Sequence, residues 1–349
     1  MAEVAERFPE DADVQVLYAD ALMNLRPWDY WEADGESLRP EVTPLVATLE
    51  RALVLASEHP YAIHLYIHAV EASKQPRRAE PFADRLAELA PGAGNLVHMP
   101  SHIYFRIGRF HDSIAANRKA VAADEAYLAK TEEQNTYRYG YYPHNVHFLL
   151  ESARMSGDGA TALAAATKLP TITSPEVSAA MPWVQLIDAA PYFAHAQFSA
   201  PERTLALPDP GDELLCVKAA WHYARGVAHA VSGEAEAARR EVGALRRLAE
   251  ERDWSAMVEG GVPMHRPPAQ LCARRGAVGI DGLPSPLREG RPERQPGQPR
   301  DLAQQLATAL GEEILHTDPD CRELRMRLPD LLGPGMDLEP LEEALLVGW

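Results

Sequence analysis

Cysteine is scarce in this chain: Cys216, Cys272 and Cys321 are the only three in 349 residues, far apart and forming no CxxC. That excludes a disulfide framework and a cysteine-built zinc site, and it fits a reducing compartment. Long apolar runs are missing as well, and none approaches the ~20 residues a membrane-spanning helix needs. Basic side chains are outnumbered, 34 against 51 acidic ones, for a net charge of −17. Such a surface repels phosphate backbones and anionic membranes, so neither nucleic acid nor a membrane is an expected partner. The opening MAEVAERFPEDADV is acidic where a signal peptide would be basic and then apolar, which points to a cytoplasmic protein. No Walker loop, GxGxxG, GxSxG or HExxH occurs. Nucleotide chemistry and the familiar serine- and metalloprotease plans therefore lack support.

Strand signals are nearly absent too, and what replaces them is helical. DVQVLYADALMNL, VTPLVATLERALVLA, AIHLYIHAVEAS, PRRAEPFADRLAELA and SIAANRKAVAADEAYLA carry apolar residues at three- and four-residue steps. Pro, Gly and Asp punctuate them at short intervals, giving helix pairs with tight connections. Gly108, Gly157 with Ala162 and Pro170, and Gly226 with Gly233 recur at matching places in successive pairs. Small residues suit the close crossing of two helices in a hairpin. The spacing resembles a helix–turn–helix repeat of the tetratricopeptide type, about 34 residues long. The expectation is an all-α, tetratricopeptide-like repeat array (an α-solenoid) over residues 1–256. Residues 257–300, dense in Pro, Gly and Arg, read as a linker, and 301–349 as a short helical tail.

Histidine is the informative residue. His64 and His68 lie four apart, His98 and His102 lie four apart, and the pairs are offset by one repeat period. With Gly108 and Gly157 taken as equivalent turn residues, and Lys74 as their counterpart one repeat earlier, His64, His98 and His147 form one column. His68, His102 and Glu151 form a second, and Tyr61, Asn95 and His144 a third. The step to His147 needs an insertion around residues 130–139. Residues at i, i+3, i+4 and i+7 share a helix face. Six imidazoles, from His64, His68, His98, His102, His144 and His147, should then converge on one groove, with Glu71 and Glu151 beside them.

Convergent imidazoles repel when protonated and need partners when neutral; a metal ion satisfies both conditions by taking a lone pair from each. His-x-x-x-His on a helix is a bidentate metal clip. Six histidines and one or two carboxylates suit two ions better than one, and imidazole shells favour zinc, copper or iron. Glu71 or Glu151 would serve as ligand or general base. Packing falls to Ala79, Phe82, Leu86 and Leu89, and the histidines outside the columns read as surface or packing residues. Tyr61, Tyr66, Tyr104, Tyr141 and Tyr142 are possible orienting groups. Arg106 and Arg109 are possible anion contacts, although solvated surface is the ordinary reading of both. Pro100, between His98 and His102, should start or kink a helix at the site.

At these residues the sequence resembles a group of bacterial tetratricopeptide repeat proteins that share PWDYW, LYIHAVEAS, LVHMPSHIY with a following GR-aromatic, and YYPHN-x-HFL. All four motifs stand here, at residues 27–31, 65–73, 96–104 and 141–149. The resemblance covers about residues 10–170 and implies an all-helical repeat fold, with no established activity to carry over. Where the family usually has histidine before LVHMPSHIY, this chain has Asn95. The family also implies further repeats ahead of Met1, so the chain reads as a shortened member with its groove open on that side. Two classes of function follow. One is a metal-dependent enzyme acting on a small molecule by hydrolysis or oxidation; the other is a scaffold whose groove holds a peptide or protein.

Overall fold

The computed structural model describes residues 1–252 and Trp254, so residues 257–300 and 301–349 lie outside it. Among the described residues the chain is helical without strands; a single bridge joins Trp31 and Leu38. No helix among them is long and apolar enough to cross a membrane. The chain divides into two compact units after Ser152.

The first unit holds α1 (Ala2–Arg7), α2 (Ala12–Met23), α3 (Leu45–Leu55), α4 (Pro60–Glu71), α5 (Glu80–Leu89), α6 (Gly94–His98), α7 (Pro100–Arg106), α8 (Phe110–Leu128) and most of α9 (Tyr142–Met155). Helix α4 shows why the residues fall as they do. Pro60 opens it with a pre-set φ, and the His59 ring accepts the Ala62 N–H at 3.2 Å, capping an otherwise orphaned donor. Ile63, Tyr66, Ile67 and Val70 then occupy one stripe, all buried with Leu45, Leu49, Leu86, Met99 and Ile103. Burying each large apolar side chain contributes about 1.5–3 kcal/mol. The adjoining stripe carries His64, His68 and Glu71. Packing and chemistry thus occupy different faces of one helix. Ala79 and Leu86 are buried, and Phe82 and Leu89 pack against the same core.

The second unit continues with α10 (Gly159–Lys168), α11 (Pro175–Ala180), α12 (Val184–Phe198), α13 (Pro201–Leu205), α14 (Leu215–Val231) and α15 (Ala235–Glu251). Cys216 is buried there beside Leu245 and Trp254.

Three helix–helix turns share one construction. Gly108, Gly157 and Gly233 have φ of 82°, 76° and 79°, a left-handed conformation that other residues adopt only at a cost. After each glycine the next N–H reaches back to a carbonyl: Arg109 to Tyr104 at 2.8 Å, Asp158 to Ala153 at 2.9 Å, Glu234 to His229 at 2.9 Å. This Schellman-type closure satisfies carbonyls that the helix end leaves open. Lys74 does not belong to this set. The α4–α5 connection is longer and passes through a 3-10 turn at Pro76–Ala79, with the Ser73 hydroxyl accepting the Gln75 N–H. Without glycine at 74 the left-handed turn is replaced by a side-chain-capped bend.

The segment between α8 and His144 has two parts. Residues 129–135 form a loop, and Tyr137–Tyr141 is a π-helical turn leading into α9. Such turns accommodate an extra residue without breaking the helix.

Candidate metal centre

Four helices supply the site, and local chemistry aims each side chain. On α4, His64 and His68 are successive-turn neighbours, and Glu71 follows at the helix end. His98 closes α6 and His102 lies in the first turn of α7, with Met99 between the two helices. Pro100 has no N–H to donate and so interrupts the helix there, which is the break expected of it. His144 and His147 sit in the first turns of α9, and Glu151 lies one turn further on.

These helices bring five rings into an unbroken chain. Centroid separations are 4.9 Å for His64–His68, 5.1 Å for His68–His102, 4.7 Å for His102–His98 and 4.7 Å for His98–His144. His147 approaches Glu151 at 3.9 Å and lies close enough to His144 to affect its charge. The inner members are shut from solvent: His98 is 0% and His102 3% exposed. His68, His147 and Glu151 retain some exposure at the rim. Two groups have ligand atoms within 4.8 Å of one another, His98–His102–His144 and His68–Glu71–His102.

The hydrogen bonds settle where the lone pairs point. Asn117 donates its amide N–H to the Ser113 carbonyl at 2.9 Å, which leaves its Oδ1 facing His98 Nδ1 at 2.6 Å. His98 therefore carries its proton on Nδ1. Glu71 accepts from both neighbours: Oε2 from His102 Nδ1 and Oε1 from His68 Nδ1, each at 2.7 Å. His102 and His68 are thereby also Nδ1–H tautomers. What remains is Nε2 of His98 and Nε2 of His102, 2.9 Å apart. Two lone pairs cannot face each other at that distance, so a proton or a metal cation belongs between them. Imidazoles that present Nε2 to an ion while donating Nδ1–H to a carboxylate or carbonyl oxygen are the usual arrangement around bound metals.

The electrostatics agree with that donor set. Burial lowers the pKa of His98, with the nearby charges of His144 and His102 adding to it. His144 is lowered by burial and then by His102 and His147, and His68 by burial against the pull of Glu71. His64 falls to about 3 through burial and its two neighbouring histidines, and its Nδ1 is buried without a hydrogen-bond partner. Neutral imidazoles are the form that binds metals. Burial alone would raise the Glu71 carboxyl, but the charge of His102 and the hydrogen bonds from His102 and His68 outweigh it and hold the group far below the usual carboxylate range.

Around the ligands stands an aromatic shell. Phe148 lies 4.6 Å from His102, 4.9 Å from His98 and 5.2 Å from His144. Trp28, half exposed, sets its ring edge-on to His68 at 4.7 Å. Its φ of 62° is the only left-handed backbone among the described non-glycine residues, a conformation that persists only when its surroundings hold it. Trp31 fixes the same segment by donating its indole N–H to the Ala69 carbonyl at 2.8 Å. Tyr30 is buried in that segment too; burial, with the Glu71 and Asp20 charges adding, pushes it up to about 12.

Several residues considered from the sequence have other work. The Tyr66 hydroxyl bonds Glu50, that of Tyr104 bonds Asp84 and that of Tyr142 bonds Glu125. Tyr141 is exposed; Tyr61 is exposed as well, although its ring lies 5.9 Å from His64. Arg109 is tied to Glu80, Asp84 and Asp112. His59 caps α4, His195 bonds Ser199, and His222 and His229 both lie near Glu241. Asn117, Phe148 and Trp28 are the site residues that the histidine spacing did not single out. For Trp28 the PWDYW motif was the available signal; for Asn117 there was none.

Comparison with protein-family models, curated proteins and solved structures found no match.

Proposed function

We propose that the chain binds one transition-metal ion through Nε2 of His98 and His102 together with His144, and that it is a metal-dependent enzyme acting on a small molecule. The observation that carries this reading is the 2.9 Å approach of two lone-pair-bearing Nε2 atoms. An ion held at about 2.0–2.1 Å in a tetrahedral shell places two ligand nitrogens about 3.3 Å apart, so the pair has to open by only a few tenths of an ångström.

One ion is favoured over two by the state of Glu71. Both of its oxygens already accept Nδ1–H bonds, so the second group is a hydrogen-bonded triad that orients His68 and His102. Glu71 acts as a positioning residue in this reading. Glu151, at the partly exposed rim beside His147, is the better placed general base. Three protein ligands leave a coordination position for water or substrate, as catalytic sites do and structural sites do not. A bound ion would supply Lewis acidity there, and the neutral three-histidine shell suits zinc, copper or iron. The burial of His98 and His102 also speaks against a role as direct contacts for a peptide lying in a groove.

A tetratricopeptide-like origin of the helix pairs belongs to the same proposal. It is supported by the identical turns at Gly108, Gly157 and Gly233.

The test is metal content by elemental analysis of protein purified without a histidine tag, then reconstitution after chelation with zinc, copper and iron in turn. About one equivalent of one metal, lost in the His98→Ala/His102→Ala double variant with helicity retained, supports the reading. Protein that is metal-free and refuses all three ions contradicts it.

A further inference from the structure

Four residues beyond His102 on α7, Arg106 is half-buried and has no hydrogen-bond or ion-pair partner among the described residues. Its neighbour shows the contrast. Arg109 contacts Glu80 and Asp84 at 2.9 Å and Asp112 at 2.7 Å, and lies 4.2 Å over the Tyr104 ring. Burial holds the Arg106 guanidinium below the usual arginine value, and the charge of Glu71 is what opposes this. Yet no hydrogen bond or ion pair joins it to Glu71, whose two oxygens accept from His68 and His102. Five N–H donors in a fixed fork are left uncommitted beside the site.

The charge balance gives them a purpose. Glu71 and Arg106 cancel, Glu151 at the rim offsets one charge of a divalent ion held among the histidines, and one positive charge is left uncompensated beside the buried His98 and His102. Such an imbalance is costly unless an anion enters. The chain as a whole, at −17, repels anions, so an anionic substrate needs a local attractor of this kind.

We infer that Arg106 recognises a carboxylate of a small organic acid whose other end reaches the metal. The planar guanidinium pairs with a carboxylate through two parallel hydrogen bonds, which a lysine cannot reproduce. The rings of Phe105 and Phe148, 5.7 Å apart and in contact with the histidines through Phe148, favour an acid with a short apolar body over a bare inorganic anion. The inference rests on the metal reading above.

The experiment uses tag-free full-length protein loaded with Co²⁺, whose visible d–d bands report on the metal shell. Malonate, succinate, glutarate and orthophosphate are titrated in turn. At least one diacid should shift the bands, and its binding should weaken at least tenfold in Arg106→Gln, with cobalt affinity unchanged within about twofold. Arg106→Lys should recover part of the loss. If the bands are present but no diacid binds, or binds Arg106→Gln equally, this inference is overturned and the metal reading stands. Phosphate binding more tightly than every diacid, through Arg106, overturns the carboxylate assignment. The absence of cobalt bands overturns the metal reading and this inference with it.

Discussion

Nε2 of His98 stands 2.9 Å from Nε2 of His102, and each ring commits its Nδ1 proton elsewhere, to Asn117 in one case and Glu71 in the other. The sequence of events is fixed by those two acceptors: they choose the tautomers, and the tautomers leave two electron pairs aimed at one point. Asn117 should therefore matter to metal binding although it touches no metal. Asn117→Ala is expected to weaken metal affinity about 10–100-fold, the usual effect of removing an orienting partner. Competition titration against a chromophoric chelator measures it, and an unchanged affinity would show that His98 does not depend on Asn117.

The burial that favours neutral His64, His68, His98 and His144 makes the metal-free protein acid-sensitive. His64, His68, His98 and His144 all have folded values below the ordinary 6.5, so on acidification the unfolded chain takes up protons first. Their contribution to stability is complete above about pH 6.5 and is lost as pH falls towards the folded values, about 3 for His64. Each group changes stability by up to ~1.4 kcal/mol per pH unit in that window. Glu71 has the same sign, but its loss begins only below the ordinary carboxylate value. Chelator-treated protein should melt at clearly lower temperature at about pH 5.5 than at pH 7.5. Superimposable melting curves at the two values would contradict the neutral, buried assignment.

How far the sequence disclosed this site depends on the kind of contact. The histidine columns were readable because a helix repeats its face every three to four residues, and because Gly108 and Gly157 mark equivalent turns. Glu71 was visible on the same face, yet its role as a double acceptor required knowing that α7 lies against α4. Asn117 sits on α8, where nothing in the spacing separates it from a solvated asparagine. Lys74 marks the limit of alignment by analogy: His64 and His68 do lie beside His102, while the turn after α4 takes another form than those at Gly108 and Gly157. The Pro/Gly/Arg-rich stretch after residue 256 lies outside the described residues.

The three glycine turns offer a test of their shared construction. Nothing lies within 4 Å of a Cβ built at Gly108, Gly157 or Gly233, so alanine there meets only the left-handed backbone penalty. Each Gly→Ala change is expected to destabilise by about 1–2 kcal/mol, nearly equally at the three sites. Urea denaturation measures it. A negligible effect at any one would separate that turn from the other two.

Gly94 answers to a different force. A Cβ there would fall 1.8 Å from Asp124 Oδ1 and 3.1 Å from the Ala120 carbonyl. Asp124 in turn accepts from the Tyr137 hydroxyl at 2.6 Å and the Asn145 amide at 2.7 Å, and so holds the start of α9 that carries His144. Gly94→Ala should cost about 1–3 kcal/mol through overpacking and should also weaken metal binding. Full stability with wild-type affinity would show that the α6–α8 contact yields without consequence.

The most direct measurement is an anomalous-difference map, collected at the absorption edge of the bound metal, from crystals of tag-free protein. The account predicts one strong peak about 2.0–2.1 Å from Nε2 of both His98 and His102, with His144 as a third ligand and Glu71 still accepting from His68 and His102. A map with no peak there, or with the metal held instead by histidines outside this group, would contradict it.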